Sequence, residues 1–145
     1  VGYLDIVMRD TIHDRIKIYD IKTSTMGWNK WMKADDNKTQ QLLLYKQFYS
    51  KQYNHPIDKI DVEYFIVKRK LYEKAKFPQK RVQKFIPASG TVSMNKVAKK
   101  LTKFINEAFD EDGTHTKNEL PPTPSKKACK WCEFNKTEHC EVGVS

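Results

Sequence analysis

The sequence predicts a mixed α/β fold, a central sheet flanked by helices, and three observations carry that prediction. Two β-favouring runs, Tyr3 to Met8 and Arg15 to Thr23, bracket a polar, turn-like stretch from Arg9 to Asp14 and read as a hairpin. A later pair, Ile60 to Lys70 and Arg81 to Ile86, alternates apolar and polar side chains as strands do. Two segments of helical periodicity, one between these pairs and one after them, run to about Tyr53 and Phe109. The order hairpin, helix, strand, strand, helix packs as a mixed sheet covered by helices.

Each element has its own signals. Residues 25–35 hold Gly27, Trp28 and Trp31 and read as a loop. Asp35 or Asp36 supplies an N-cap for the first helix, whose apolar positions are Leu42, Leu43, Leu44, Phe48 and Tyr49. Asn54-His55-Pro56 ends it. Val62, Tyr64 and Ile66 share one face of the third strand. A basic loop, Lys74 to Lys80, precedes the fourth strand, and Ser89-Gly90 breaks it. In the last helix, Met94, Val97, Ala98, Leu101, Phe104, Ile105 and Ala108 fall on one stripe. Residues 110–128 form a polar linker with Gly113, Pro121, Pro122 and Pro124, and residues 129–145 form a cysteine-bearing tail. The expected organisation is a core over 1–109, the linker, and the tail.

A chain of 145 residues fits one domain, and 39% hydrophobic and 12% aromatic residues suffice for a core. Lys+Arg 27 against Asp+Glu 18 leaves a net charge of +9, which favours polyanionic partners, nucleic acid foremost. No apolar stretch approaches the roughly 20 residues of a membrane span. No signal peptide is visible, so the expected location is the cytoplasm, of a host cell if the gene is viral. Many Lys, Asn and Tyr with little Ala point to an AT-rich genome such as a phage's. Three cysteines, all within the tail, suit metal binding better than a closed disulfide framework.

The run Ile16-Lys17-Ile18-Tyr19-Asp20-Ile21-Lys22-Thr23-Ser24 is the most informative stretch. Asp20 and Lys22 share a strand face, and Ile21 points the other way. Hairpin pairing brings Asp5 near Asp20, and two converging carboxylates repel unless a cation neutralises them. Magnesium suits such carboxylates together with a backbone carbonyl, here that of Ile21. The Lys22 ammonium can orient a water or stabilise charge on a phosphate. Gln41 and Tyr45 lie one turn apart on one helix face. For the triplet alone, a surface ion pair on the wet face of a hairpin is the simpler reading.

Taken in order, Gly2-x-x-Asp5, Asp20-Ile21-Lys22-Thr23-Ser24 and Gln41-x-x-x-Tyr45 resemble the PD-(D/E)XK nuclease superfamily, in particular its RecB-like exonuclease branch. The resemblance implies a restriction-endonuclease-like core. It makes Asp5 and Asp20 ligands of Mg2+ or Mn2+, Ile21 a carbonyl ligand and Lys22 catalytic. Gln41 and Tyr45, with Thr23 and Ser24, become accessory or DNA-contacting. It also implies a helix before the first strand, expected in a segment upstream of Val1 or from another chain.

Cys129-Lys130-Trp131-Cys132 with Cys140 offers three thiolates, and zinc or iron-sulfur centres usually take four ligands. His139 is a possible fourth for zinc, though it abuts Cys140. The arrangement resembles the C-terminal CxxC…C of RecB-like nucleases that carry a 4Fe-4S cluster, whose fourth cysteine lies upstream. The expected function is a metal-dependent DNA exonuclease of recombination, repair or end processing, with DNA, as linear or single-stranded ends, and a helicase or recombination protein as partners. Two alternatives stand beside it: a non-catalytic nucleic-acid-binding module of the same fold, and a zinc-stabilised interaction domain.

Overall fold

The structure is a computed structural model that describes residues 2–120 and 122–144. Val1, Ser145 and the linker residue Pro121 lie outside the described residues. The chain divides into two units, residues 1–101 and 102–145.

The first unit is built on a four-stranded sheet in the order β1 (Ile6–Asp10), β2 (Arg15–Ser24), β3 (Ile60–Lys68), β4 (Val82–Phe85). β1 and β4 run antiparallel to their neighbours, whereas β2 and β3 are parallel. A parallel pair needs a crossover, and α1 (Lys30–Ala34) and α2 (Asp36–Gln52) supply it. The mixed sheet flanked by helices is the α/β, restriction-endonuclease-like architecture that the sequence predicts.

Local chemistry sets the element ends. The β1–β2 turn places Asp14 at φ 49, a left-handed conformation that Asp tolerates. The expected loop over 25–35 contains α1, because the Asn29 side chain caps it by accepting from Met32 N at 2.9 Å. Asp35 caps α2 through Asn37 N. At the other end Asn54 takes φ 48 and His55 N donates to Ser50 O at 3.0 Å, a Schellman arrangement with Asn in the glycine position. A single 3-10 turn, Ile57–Lys59, leads into β3.

Period-two alternation puts Ile16 and Ile18 of β2 and Ile60, Val62, Tyr64 and Ile66 of β3 on one face, all buried, with Leu42 and Trp28 packed against them. Burying one such side chain stabilises the fold by about 1.5–3 kcal/mol. Tyr64 is fully buried, so its hydroxyl needs a partner; it donates to Lys38 O at 2.8 Å, and burial drives its pKa far above the usual phenol value. Trp28 packs on Tyr64 and Phe85, so it is a core residue, while Trp31 is exposed.

The Gln83 amide holds this corner together. Its Oε1 accepts from Trp28 N at 2.7 Å and its Nε2 donates to Trp28 O at 3.0 Å. Gly27 before it sits at φ 94, and a Cβ there would meet Gln83 Oε1 at 2.8 Å, so only glycine fits. Gln83→Ala is expected to destabilise the chain by about 2 kcal/mol, since it leaves two main-chain groups unpaired. Urea unfolding checks this, and an unchanged midpoint would show that the clamp is dispensable.

α3 (Thr91–Ala108) follows Gly90. Met94 and Val97 are buried against Leu43, whereas Phe104 and Ile105, expected on the packed stripe, are exposed. Phe48 of α2 is likewise exposed. Periodicity identifies residues that share a face, but not whether a neighbour covers it.

The second unit carries local order where a polar linker is expected. Phe109 pairs with His115 in an isolated bridge, and α4 (Lys126–Cys129) begins within the linker, capped by Ser125 Oγ accepting from Ala128 N at 3.1 Å. Cys129 is buried, Cys132 exposed and Cys140 half-buried, each with a free thiol. Short turns link them: Cys132 N donates to Cys129 O, and Lys136 N to Cys140 O. No helix among the described residues is long and apolar enough to cross a membrane.

Candidate active site

β2 runs from a buried middle to a half-exposed end, and that gradient builds the site. Ile16, Ile18 and Asp20 are buried in succession on the face that α2 covers, and Lys22 is the next residue on it. Asp20 is only 3% exposed, so the pair does not sit on the wet face of a hairpin.

Asp5 stands differently from the expectation. It precedes β1 instead of lying within it, and it is exposed. Continuing the pairing of Ile6 with Tyr19 would set residue 4 opposite Ile21. Asp5 Oδ2 instead accepts from Ile21 N at 2.7 Å, so a carboxylate ends the ladder where a main-chain carbonyl would have continued it. Because the N–H and C=O of one strand residue leave on the same edge, the Ile21 carbonyl also faces the Asp5 side of β2.

Lys22 Nζ lies 2.7 Å from Asp20 Oδ2 and donates to Gln41 Oε1 at 2.8 Å. Gln41 Nε2 in turn donates to Tyr45 Oη at 2.8 Å. Lysine, glutamine and tyrosine thus form one relay from β2 to α2, and the helical spacing of Gln41 and Tyr45 is what permits it. Gly2 belongs to the same neighbourhood, since a Cβ on it would meet the Tyr45 ring at 3.0 Å.

Asp20 is electrostatically uncomfortable. Burial pushes its carboxyl above the usual value against the pull of Lys22, and the nearby Asp5 charge adds to the rise. The Lys22 contact is off the direction of a hydrogen bond, so the buried Oδ2 has no hydrogen-bond partner. A buried carboxylate whose one partner is the Lys22 ammonium, beside a second carboxylate and a peptide carbonyl, fits a divalent cation, which would relieve both the desolvation and the repulsion. Among the described residues no three His, Cys, Asp or Glu side chains gather at one point, so the site offers two carboxylates.

The remaining expected residues are elsewhere. Thr23 is exposed on the opposite face of β2 from Asp20 and Lys22, because alternate residues face apart. The Ser24 hydroxyl donates to Gly27 O at 3.0 Å and braces the turn. His139 contacts Glu138 and the edge of Phe134, and the three tail thiols are not gathered into a ligand set among the described residues. In the basic stretch after β3, Arg81 is committed to Lys68 O and Arg69 O, and Arg69 donates to Thr25.

Two features escape the sequence reading. Lys46 is buried on α2 and reaches Ser89 O at 3.3 Å, and burial lowers its pKa. Nothing in the sequence separates it from the solvated lysines around it. The second is an aromatic stripe on α2. Gln41, Tyr45, Tyr49 and Tyr53 recur at every fourth position, but the sequence reading took only Gln41 and Tyr45 as one face, Tyr49 as a packing residue and Tyr53 as the helix end.

A mixed sheet whose second strand brings an aspartate and a lysine beside a carboxylate from the first defines the restriction-endonuclease-like class. A model of the PD-(D/E)XK nuclease superfamily matches residues 1–137, and the chain belongs to that superfamily. No curated protein and no solved structure matches it significantly.

Proposed function

We propose that the chain is a metal-dependent deoxyribonuclease of the RecB-like branch that hydrolyses DNA phosphodiester bonds from ends, in recombination, repair or end processing. The observation that carries this reading is the buried Asp20 carboxylate, pushed up by burial and by Asp5, with Lys22 ion-paired to it and held by Gln41. Asp5, Asp20 and the Ile21 carbonyl would hold Mg2+ or Mn2+. When bound, the ion polarises the phosphate and lowers the pKa of a water. Lys22 orients that water or meets the charge developing on the phosphate, and Gln41 and Tyr45 keep its ammonium in place. The net charge of +9 favours the nucleic-acid polyanion.

The test is cleavage of end-labelled linear DNA and of a covalently closed circle, each with and without magnesium. Magnesium-dependent loss of the linear substrate alone supports the exonuclease, and cutting of both supports an endonuclease. No cutting of either moves the assignment to a nucleic-acid-binding module of the same fold.

A metal in the tail rests on the spacing of Cys129, Cys132 and Cys140, and the turns around them would have to rearrange to close on it. We expect iron with acid-labile sulfide in anaerobically purified protein and a lower melting temperature for Cys132→Ser. Zinc without sulfide would select the zinc alternative. A metal-free tail with an unaltered melting curve would remove the site.

A further inference from the structure

A cleft of about 350 Å³ opens on the side of α2 away from the candidate active site, between α1, α2, the β4–α3 connection and the first half of α3. Leu43 lines the cleft, whereas Tyr45 belongs to the Lys22 relay. Residues two apart on a helix stand about 200° apart around its axis, so the two sites use opposite sides of α2. All the residues that line the cleft belong to the first unit. Its volume lies within the roughly 300–1,000 Å³ of sites for compact ligands.

The cleft has an apolar floor and a basic rim. Leu43 and Val97 are buried there, with Phe85 beside them. Lys33 of α1 and Lys96 and Lys100 of α3 reach the same space. Asp36 is the one acid among the described residues that line it. Lys96 ion-pairs with Asp36, and Lys100 adds to the pull that holds its carboxyl below the usual value. Lys33 stands over the Phe85 ring, its Nζ 5.6 Å from the centroid. Three ammonium groups against one carboxylate leave a surplus of two positive charges.

Buried Lys46 holds one wall of this space. Pro87 and Ala88 line the cleft, and Ser89, next in sequence, is fixed by the Lys46 ammonium, 3.3 Å from its carbonyl and 3.5 Å from its hydroxyl. Lysine is seldom buried, and burial here pushes its pKa down. The fold tolerates that cost at the connection that walls the cleft, and a wall fixed beforehand need not be ordered by a ligand.

Charge and floor together select the occupant. Nucleic-acid backbone phosphates are gripped by cations on an open surface and bring no apolar group to fill a cleft. An uncharged apolar molecule leaves the ammonium groups unanswered. A phosphate monoester carries about −1.5 to −2 charges at neutral pH, which matches the surplus, and a flat apolar body matches the floor.

We propose that this cleft binds a small phosphate monoester with a flat apolar body, its phosphate met by Lys33, Lys96 and Lys100 and its body laid on Leu43, Phe85 and Val97. The inference stands apart from the nuclease reading, since none of these residues serves the candidate active site.

The probe is 1-naphthyl phosphate, titrated calorimetrically into the full chain in EDTA, which removes metal that could hold a phosphate at Asp5 and Asp20. The expected result is saturable binding, with 1-naphthol and inorganic phosphate each at least about tenfold weaker. Lys33→Ala and Lys100→Ala are each expected to weaken binding about tenfold, the loss of one charge-assisted hydrogen bond. Val92 lines the cleft but is 85% exposed, so replacing it leaves the core intact. Val92→Asp is expected to repel the phosphate and Val92→Asn to weaken binding far less, which separates loss of the site from misfolding. Absence of saturable binding would overturn the proposal. So would naphthol binding as tightly as its phosphate, the behaviour of an apolar cavity alone. Lysine variants that lose duplex DNA binding, on a chain that ignores naphthyl phosphate, would also overturn it and give this face to a nucleic-acid backbone. Loss of naphthyl phosphate binding in Lys22→Ala would place the phosphate at the active site and overturn it too.

Discussion

Lys22→Ala is expected to lower magnesium-dependent DNA cleavage by on the order of 10³-fold while the chain stays folded. The side chain is one-third exposed, and its contacts are polar ones to Asp20 and Gln41, so truncation opens no core cavity. What is lost is an ammonium positioned where charge develops. Lys22→Arg is expected to rescue little, since a planar guanidinium is larger and presents its donors differently. A second consequence can be read from pH. Lys22 supplies both influences that lower the Asp20 carboxyl, and burial and Asp5 supply those that raise it. Without the lysine the raising influences act alone. The acidic limb of any residual activity must therefore move to higher pH. Single-turnover cleavage across pH, with circular dichroism for folding, checks both points. A variant with parental rates would take Lys22 out of the chemistry.

Asp20→Asn is expected to weaken manganese binding by at least about 100-fold, the upper end of what loss of a mere outer-shell partner costs. Stability should move in the opposite direction from affinity. The folded-state pKa of Asp20 is raised, so its stabilising contribution is fully present below the ordinary carboxyl value of 3.8 and is lost as pH rises through the folded-state pKa. At neutral pH the ionised, buried group is a cost, which the neutral amide removes. Without metal, Asp20→Asn should therefore melt at or above the parent temperature at neutral pH, and the difference should shrink as pH falls towards 3.8. With manganese the order should invert, because the ion stabilises only the chain that binds it. Titration calorimetry and thermal melts with and without manganese test the pair. Unchanged affinity would contradict the ligand assignment. A variant less stable than the parent without metal would contradict the account of Asp20 as a strained group.

Both effects arise where a buried strand face meets a functional requirement. An isoleucine at position 20 would continue the packing of Ile16 and Ile18. The chain places a carboxylate there instead, and Lys22, itself held by Gln41, only partly satisfies it. Breaking the local rule of an apolar buried face is expected at sites that bind and react.

Much of this was legible in order and spacing. The hairpin, the α2 cap at Asp35, the buried parity of β3 and the pairing of Gln41 with Tyr45 all follow from periods of two and 3.6. Asp5 was legible as a neighbour of Asp20, but not as the residue that ends the β1 ladder on Ile21 N. The short helix after Gly27 was hidden because its cap, Asn29, lies among residues that also suit loops. Thr23 and Ser24 follow Lys22 in sequence, yet Ser24 braces a turn and Thr23 faces away. Alternation along a strand turns Thr23 to the opposite face from Lys22.

By itself the sequence determined the mixed sheet, its helices, the basic character and the ordered set Asp5, Asp20, Lys22, Gln41 and Tyr45, because local periodicity and residue chemistry are properties of the chain. Only the tertiary structure decided that Asp20 is buried, that Lys22 reaches Gln41 and that Trp28 belongs to the core. Burial and partnership depend on which elements cover which faces. That is a property of β2, β3 and α2 packed together, and no one of them encodes it alone.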